Sequence, residues 1–300
     1  IKASFGRVPY APPSAFGTLA HVGPMTVTIE DTALVMDVIA RPHRLDPFSL
    51  LPAEADHEPQ EKYYSKELNL GVKGLKIAVS LSLDGFVPHA HPEIVRALKE
   101  AAQVFSNLGA QVSFVEPPLR QFDMYKSFKT LWCTGAANRL QALVEGVANQ
   151  TNAENAQQME QSFDKGLQQV AQMGHKMTAV HVSQAEYIRA NMAQAMNLFH
   201  EQYDLLITPT EPIPPFHGKY EVPPHDWFTK LPVAGSTSPA FEESDRERWW
   251  MWTPFTYPFN LTKQPAVAVP CGMGNDPLLD TTIFLRSEEH TSELQSLAYL

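Results

Sequence analysis

A chain of 300 residues with 44% hydrophobic content can bury a large core, either as one big α/β domain or as two ordinary ones. Its 33 acidic and 23 basic residues give a formal charge of −10 that is spread without a polyacidic block, and no window gathers Lys and Arg into the basic stripe that direct nucleic-acid binding needs. No apolar run approaches the length that crosses a bilayer, and two distant cysteines, Cys133 and Cys271, cannot build the disulfide framework of a small secreted domain, so a soluble chain in a reducing cytoplasm is expected.

Both ends stand apart from the rest. Ile1 precedes Lys2 to Pro9, a stretch that reads as the middle of a folded region, so a late start is expected and the missing leader says nothing. Arg286 to Ser296 resembles the in-frame translation of a common sequencing-library adapter. Residues 286–300 are therefore expected to be a non-native tail, with the domain over 1–285. Two Asn-x-Thr sequons, at Asn149 and Asn260, are too short a pattern to carry weight.

In chain order, an opening turn region rich in Pro and Gly leads to Thr28, a helix cap with Glu30 and Asp31 in the first turn. Ile29, Ala33, Met36 and Ala40 share one face, and Leu34, Val35, Val38 and Ile39 fill much of the rest, which predicts buried scaffold. Residues 41–70 read as a Pro-containing surface connection. From Leu75 to Glu116 the pattern is a β-α-β crossover: a strand to Val79, a helix entered at Pro92 and stopped by Gly109, and a strand around Val112 to Val115. Ile94, Leu98, Ala101, Phe105 and Leu108 form the predicted inner stripe of that helix. Residues 122–202 are strand-poor and predict two or three helices with a break at 149–160. Tyr203 to Thr210 returns to strand character, some forty Pro-rich loop residues follow, and Ala266 to Val269 makes a last short strand.

Three segments then carry a resemblance. The first is Phe5-Gly6-Arg7-Val8-Pro9 with Gly17-Thr18-Leu19, Val22-Gly23-Pro24-Met25, Asp31 and Ala33-Leu34. The second is Tyr203-Asp204-Leu205-Leu206-Ile207-Thr208-Pro209-Thr210. The third runs from Thr253-Pro254-Phe255 through Asn260-Leu261-Thr262 and Gln264-Pro265-Ala266 to Val269-Pro270-Cys271-Gly272. In order and spacing the chain resembles the amidase-signature family over nearly everything ahead of the tail. The resemblance implies an α/β fold with a mixed central sheet flanked by helices, an α/β/α architecture short of its N-terminal side. Ala20 stands where the family commonly has Asp, and Val27 where it often has Arg, which puts a local charge network in doubt.

An amide resists cleavage because its carbonyl is resonance-stabilised and its amine leaves poorly, so a nucleophile and a proton donor are both needed. What the resemblance implies is a Ser nucleophile, a second Ser in a cis peptide and a Lys neutral enough to act as base, all from a segment ahead of this one. No catalytic residue is therefore assigned within the chain, and neither a cofactor nor a metal is expected. Gly235-Ser236-Thr237-Ser238-Pro239, the nearest Gly/Ser run, reads as a polar turn. His89 and His91 lack a third ligand nearby and read as a solvated loop.

The aromatic stretch Trp249, Trp250, Trp252, Phe255, Tyr257 and Phe259 admits two readings, as core beside the last strand or as lining of an acyl pocket. Thr208, Trp252, Phe255 and Tyr257 are the candidate substrate-binding residues. Such a pocket favours aryl or alkyl amides. The first functional expectation is thus a hydrolase of carbon–nitrogen bonds in linear amides, inactive as this stretch alone, with a small-molecule amide as substrate and a homodimer compatible with the class. The rivals are the glutaminase subunit of a tRNA-dependent amidotransferase, where a partner would hold the tRNA, and a non-catalytic ligand-binding module.

Overall fold

The computed structural model describes residues 1–50, 63–87, 90–216, 253–276 and 281–291. Its centre is a mixed five-stranded sheet built from β1 (Lys76–Val79), β2 (Gln111–Phe114), β3 (Leu205–Pro209), β4 (Val267–Asp276) and β5 (Thr281–Thr291), in the order β2-β1-β3-β5-β4. β1 runs parallel to β2 and β3, whereas β5 lies antiparallel to β3 and β4. Parallel neighbours need a crossover, and α3 (Pro92–Asn107) supplies it between β1 and β2 as the sequence predicts. β5 contains Arg286 to Thr291, the opening residues of the stretch expected to be a tail.

The layers follow from side-chain alternation along the strands. Ile77, Val79 and Ile207 point to one face and pack with Leu98 and Ala102 of α3. Ala78 and Leu206 point to the other and join a larger core, which draws on α4 (Met124–Gln150), α7 (Ala179–His200) and α8 (Tyr257–Leu261). Helices thus cover both faces, and the α/β/α architecture is as expected. Between α4 and α7 lie α5 (Ala153–Ser162) and α6 (Lys165–His175).

Several local expectations change. The strand-poor region holds four helices rather than two or three. Its first break is confined to Thr151 and Asn152, because the Asn152 side chain accepts the Asn155 N–H and starts α5 inside the stretch assigned to a gap. Asp164 and Thr178 cap α6 and α7 in the same way. In α3 the buried residues are Ile94, Ala97, Leu98 and Ala102, while Leu108 at the C-terminal end is exposed. Gly109 ends that helix with φ +96°, a left-handed conformation that glycine adopts without a Cβ clash. Among the described residues the 41–70 connection contains one short helix, α2 (Tyr64–Glu67), whose Tyr64 is buried.

The largest departure is α1 (Ile29–Ile39). Thr28 caps it as predicted, its hydroxyl accepting the Asp31 N–H at 3.1 Å. Only Ala33 and Met36 are buried, against a small cluster of Ala3, Val8 and Tyr64. Leu34, Val35 and Val38 are exposed, because among the described residues nothing packs over that side. The helix is apolar on most sides yet covered on one.

Candidate functional site

Ligand clefts in open α/β sheets lie at the carboxyl ends of the parallel strands, and one row of aromatic side chains starts from the turn that follows β1. β1 ends at Val79, and the turn after it runs through Leu83, Asp84 and Gly85, all with positive φ. That conformation costs energy for the two residues that carry a Cβ, and polar contacts hold it. The Leu83 N–H donates to Ser80 Oγ at 2.9 Å, the Ser80 hydroxyl donates to Glu116, the Asp84 N–H donates to the same Glu116 carboxylate at 2.7 Å, and the Arg120 N–H donates to Asp84 at 2.9 Å. The turn thereby drives Leu83, Phe86 and Val87 into the main core.

From Phe86 an aromatic row leads outward. Phe86 meets Tyr257 edge-on at 6.1 Å, Tyr257 stacks on Phe128 at 4.5 Å, Phe128 stacks on Trp132 at 5.5 Å, and Trp132 stacks on Phe16 at 4.5 Å. Phe128 and Trp132 are four residues apart on α4, so they share a face of that helix. Phe86, Phe128 and Tyr257 are buried, whereas Trp132 and Phe16 are half-buried and form the accessible end. Phe16 approaches α4 over Gly135, where an added Cβ would lie 2.7 Å from the Phe16 ring. Glycine there is what lets the row close.

Of the residues singled out from the sequence, Phe255 and Tyr257 lie fully inside this core. Thr208 is also buried, on the same sheet face as Leu206, and its hydroxyl is spent on the Pro209 carbonyl at 2.9 Å. Trp252, Trp249, Trp250, His89 and the 235–239 run lie outside the described residues. His91 caps α3, its Nδ1 accepting the Glu93 N–H. Among the described residues the Tyr257 hydroxyl and Ser127 Oγ are buried without a hydrogen-bond partner. Burial raises the Tyr257 pKa well above the usual phenol value, with Tyr125 and Asp123 adding to the effect, so it stays a neutral hydroxyl. Sequence reasoning missed Phe16, Phe86, Phe128 and Trp132; the four-residue spacing of Phe128 and Trp132 was the available signal.

A second cluster fastens this wall to the fold. Arg189 of α7 is buried, and its Nε donates to the Leu261 carbonyl at 3.0 Å. Its Nη2 donates to the carbonyls of Thr18 and Asn260, both at 3.2 Å, and its Nη1 reaches the Thr18 hydroxyl and Glu186. Desolvation lowers its pKa and Glu186 opposes that shift. The Asn260 amide in turn donates to the Leu19 carbonyl at 2.9 Å. One guanidinium therefore joins α7, α8 and the 3-10 turn Gly17–Leu19 that follows Phe16. Beside it, His21 Nδ1 donates to Leu19 O at 3.0 Å, leaving Nε2 buried and unpaired, and burial first, then the Lys2 charge, lowers its pKa to about 3.

Among the described residues no helix is long and apolar enough to cross a membrane. What the fold and site define is an α/β scaffold with an aromatic row that starts from the turn after β1. The family model for amidases matches residues 1–283, and the chain belongs to the amidase family. It is 27% identical to an acylamidase from Rhodococcus erythropolis over 261 residues, covering 87% of this chain and 47% of that protein. It is 29% identical to an amidase from Pseudomonas putida over 278 residues, covering 92% and 52%. A glutamyl-tRNA(Gln) amidotransferase subunit from Myxococcus xanthus is 27% identical over 291 residues, covering 91% and 52%. The fold superposes on a bacterial aryl acylamidase of the amidase-signature family with a TM-score of 0.73 at 25% identity, over 99% of this chain and 56% of that one. The chain thus spans about half the length of the curated relatives it matches.

Proposed function

We propose that this protein supplies the framework and one pocket wall of a hydrolase of carbon–nitrogen bonds in linear amides, with aryl and alkyl amides preferred over charged ones. The row Phe16, Trp132, Phe128, Tyr257 and Phe86 carries the proposal, because an apolar, flat-faced wall with an accessible end suits an aromatic or hydrocarbon acyl group. Phe255 shares the buried core of that wall. On this reading the Ser, cis-Ser and Lys that break the bond belong to the part of the amidase fold that this chain does not span, and the chain by itself turns over no amide. The acylamidases among its relatives agree with the substrate class.

The test uses the chain lengthened by whatever its gene encodes ahead of Ile1. Trp132→Ala is expected to lower kcat/KM for an aryl amide by about tenfold or more, while leaving that for a small aliphatic amide within about twofold. Equal losses on both substrates would remove the pocket assignment. The similarity to glutamyl-tRNA(Gln) amidotransferase chains favours a second reading, a glutaminase working in a complex. Hydrolysis of glutamine in preference to aryl amides would select it.

A further inference from the structure

We infer that the cavity among α4, α5 and α6 is a binding site, separate from the aromatic row, for a protonated alkylamine, a hydrocarbon chain that ends in an ammonium group. The cavity holds about 310 Å³, within the range of small-molecule pockets. Its floor is hydrocarbon: Leu140 and Ala171 are buried and Val144 is half-buried. Leu140 follows Trp132 by eight residues on α4, about 12 Å along the axis, and no residue of the aromatic row lines the cavity.

The rim above that floor is negative. Glu145 and Glu160 stand on it, and among the described residues that line the cavity there is no Lys or Arg to offset them. Glu160 lies in the last turn of α5, and Gln172 and His175 lie in the last turn of α6, so the negative ends of two helix dipoles add to the carboxylates. Gln141 donates to Glu145 at 2.8 Å, and Gln168 donates both amide N–H groups, to the carbonyls of Glu160 at 3.2 Å and Phe163 at 2.8 Å. What Gln168 has left for a ligand is its carbonyl oxygen, an acceptor. An ammonium group brings donors and the opposite charge, while its hydrocarbon chain covers the floor. An anion would face like charges. A divalent metal would need more ligands, and among the described residues no three His, Cys, Asp or Glu side chains are placed to hold one. Hydrolysis of a linear amide turns the amide and one water into a carboxylic acid and an amine, and the amine takes up a proton at neutral pH. The ligand class is thus one product of the proposed reaction; that link rests on the functional reading above, whereas the site does not.

The experiment titrates the 300-residue chain with butylammonium chloride at neutral pH and constant ionic strength, followed by saturation-transfer NMR. Saturable binding is expected, with butanol and butyrate weaker by about tenfold or more. Glu145→Gln combined with Glu160→Gln should raise the butylammonium Kd by about tenfold. Gln172→Arg sets a tethered guanidinium beside the two carboxylates and should abolish binding. All three side chains are exposed, and an unchanged Tm confirms that the variants fold. No saturable binding, equal binding of butanol, or binding that survives both variants would overturn the site. Butylammonium binding beside a lengthened chain that hydrolyses no alkyl amide would keep the site and remove its link to the product. Hydrolysis without butylammonium binding would overturn the site and leave the function standing.

Discussion

α1, apolar around most of its circumference, buries two of its 11 residues, whereas the longer and more polar α4 buries ten of 27. α4 lies under α7, α8 and α6, and it meets α6 so closely that a Cβ on Gly174 would fall 2.0 Å from the Cys133 carbonyl oxygen. Among the described residues α1 has α2 and the first residues of the chain on one side only. Apolar surface on a helix states a demand for partners, and among the described residues the demand is met along α4 and open on one side of α1. Substitutions in the two regions should differ accordingly.

The largest effect is expected at the clamp. Arg189→Met removes the donors to the carbonyls of Thr18, Asn260 and Leu261, and leaving such buried acceptors bare should cost about 4 kcal/mol in urea unfolding. A loss below about 1 kcal/mol would mean that water replaces the guanidinium and that the clamp is not what unites α7 with α8. Next, Phe128→Ala opens the middle of the aromatic row between Tyr257 and Trp132 and should cost about 3 kcal/mol by the same measurement.

His21 gives a pH dependence of opposite sign to that of a histidine held protonated in a salt bridge. Its folded pKa of about 3 lies below its unfolded value of 6.5, so between those limits the unfolded chain binds the extra proton. Stability should therefore fall as pH drops below 6.5, by about 2 kcal/mol at pH 5, and this part of the slope should vanish in His21→Asn. An unchanged slope in that variant would assign the acid sensitivity to other groups. The smallest effect is expected on the open side of α1. Val38→Ser should change stability by less than about 0.5 kcal/mol, whereas Met36→Ser, on the covered side, should cost about 2 kcal/mol. Equal costs would erase the contrast between the two regions.

Much of the scaffold was legible in the sequence because its signals are local. The apolar run at Leu75 to Val79, Pro92 at a helix start and Gly109 at its end fix the crossover, and Thr28 with Asp31 fixes the start of α1. Asn152, Asp164 and Thr178 held the missed helix boundaries in the same local code. Burial was less legible: α1 has the pattern of a buried helix, and only tertiary contact decides whether the pattern is used. The site was least so. Phe255 and Tyr257 were singled out because they fall in one recognisable segment, but Phe16, Phe86, Phe128 and Trp132 come from three other parts of the chain with no shared period. Arg189 is a lone cation on a helix, and in sequence such a residue looks solvated; its burial depends on carbonyls contributed from some seventy and some hundred and seventy residues away.

On the proposed reading, bond-breaking groups and pocket wall belong to different halves of one fold. Hydrolysis of an aryl amide, measured in parallel for the purified 300-residue chain and for the chain lengthened ahead of Ile1, tests this division most directly. No turnover is expected from the former, and turnover from the latter. Hydrolysis by the 300-residue chain, freed of host enzymes, would contradict it.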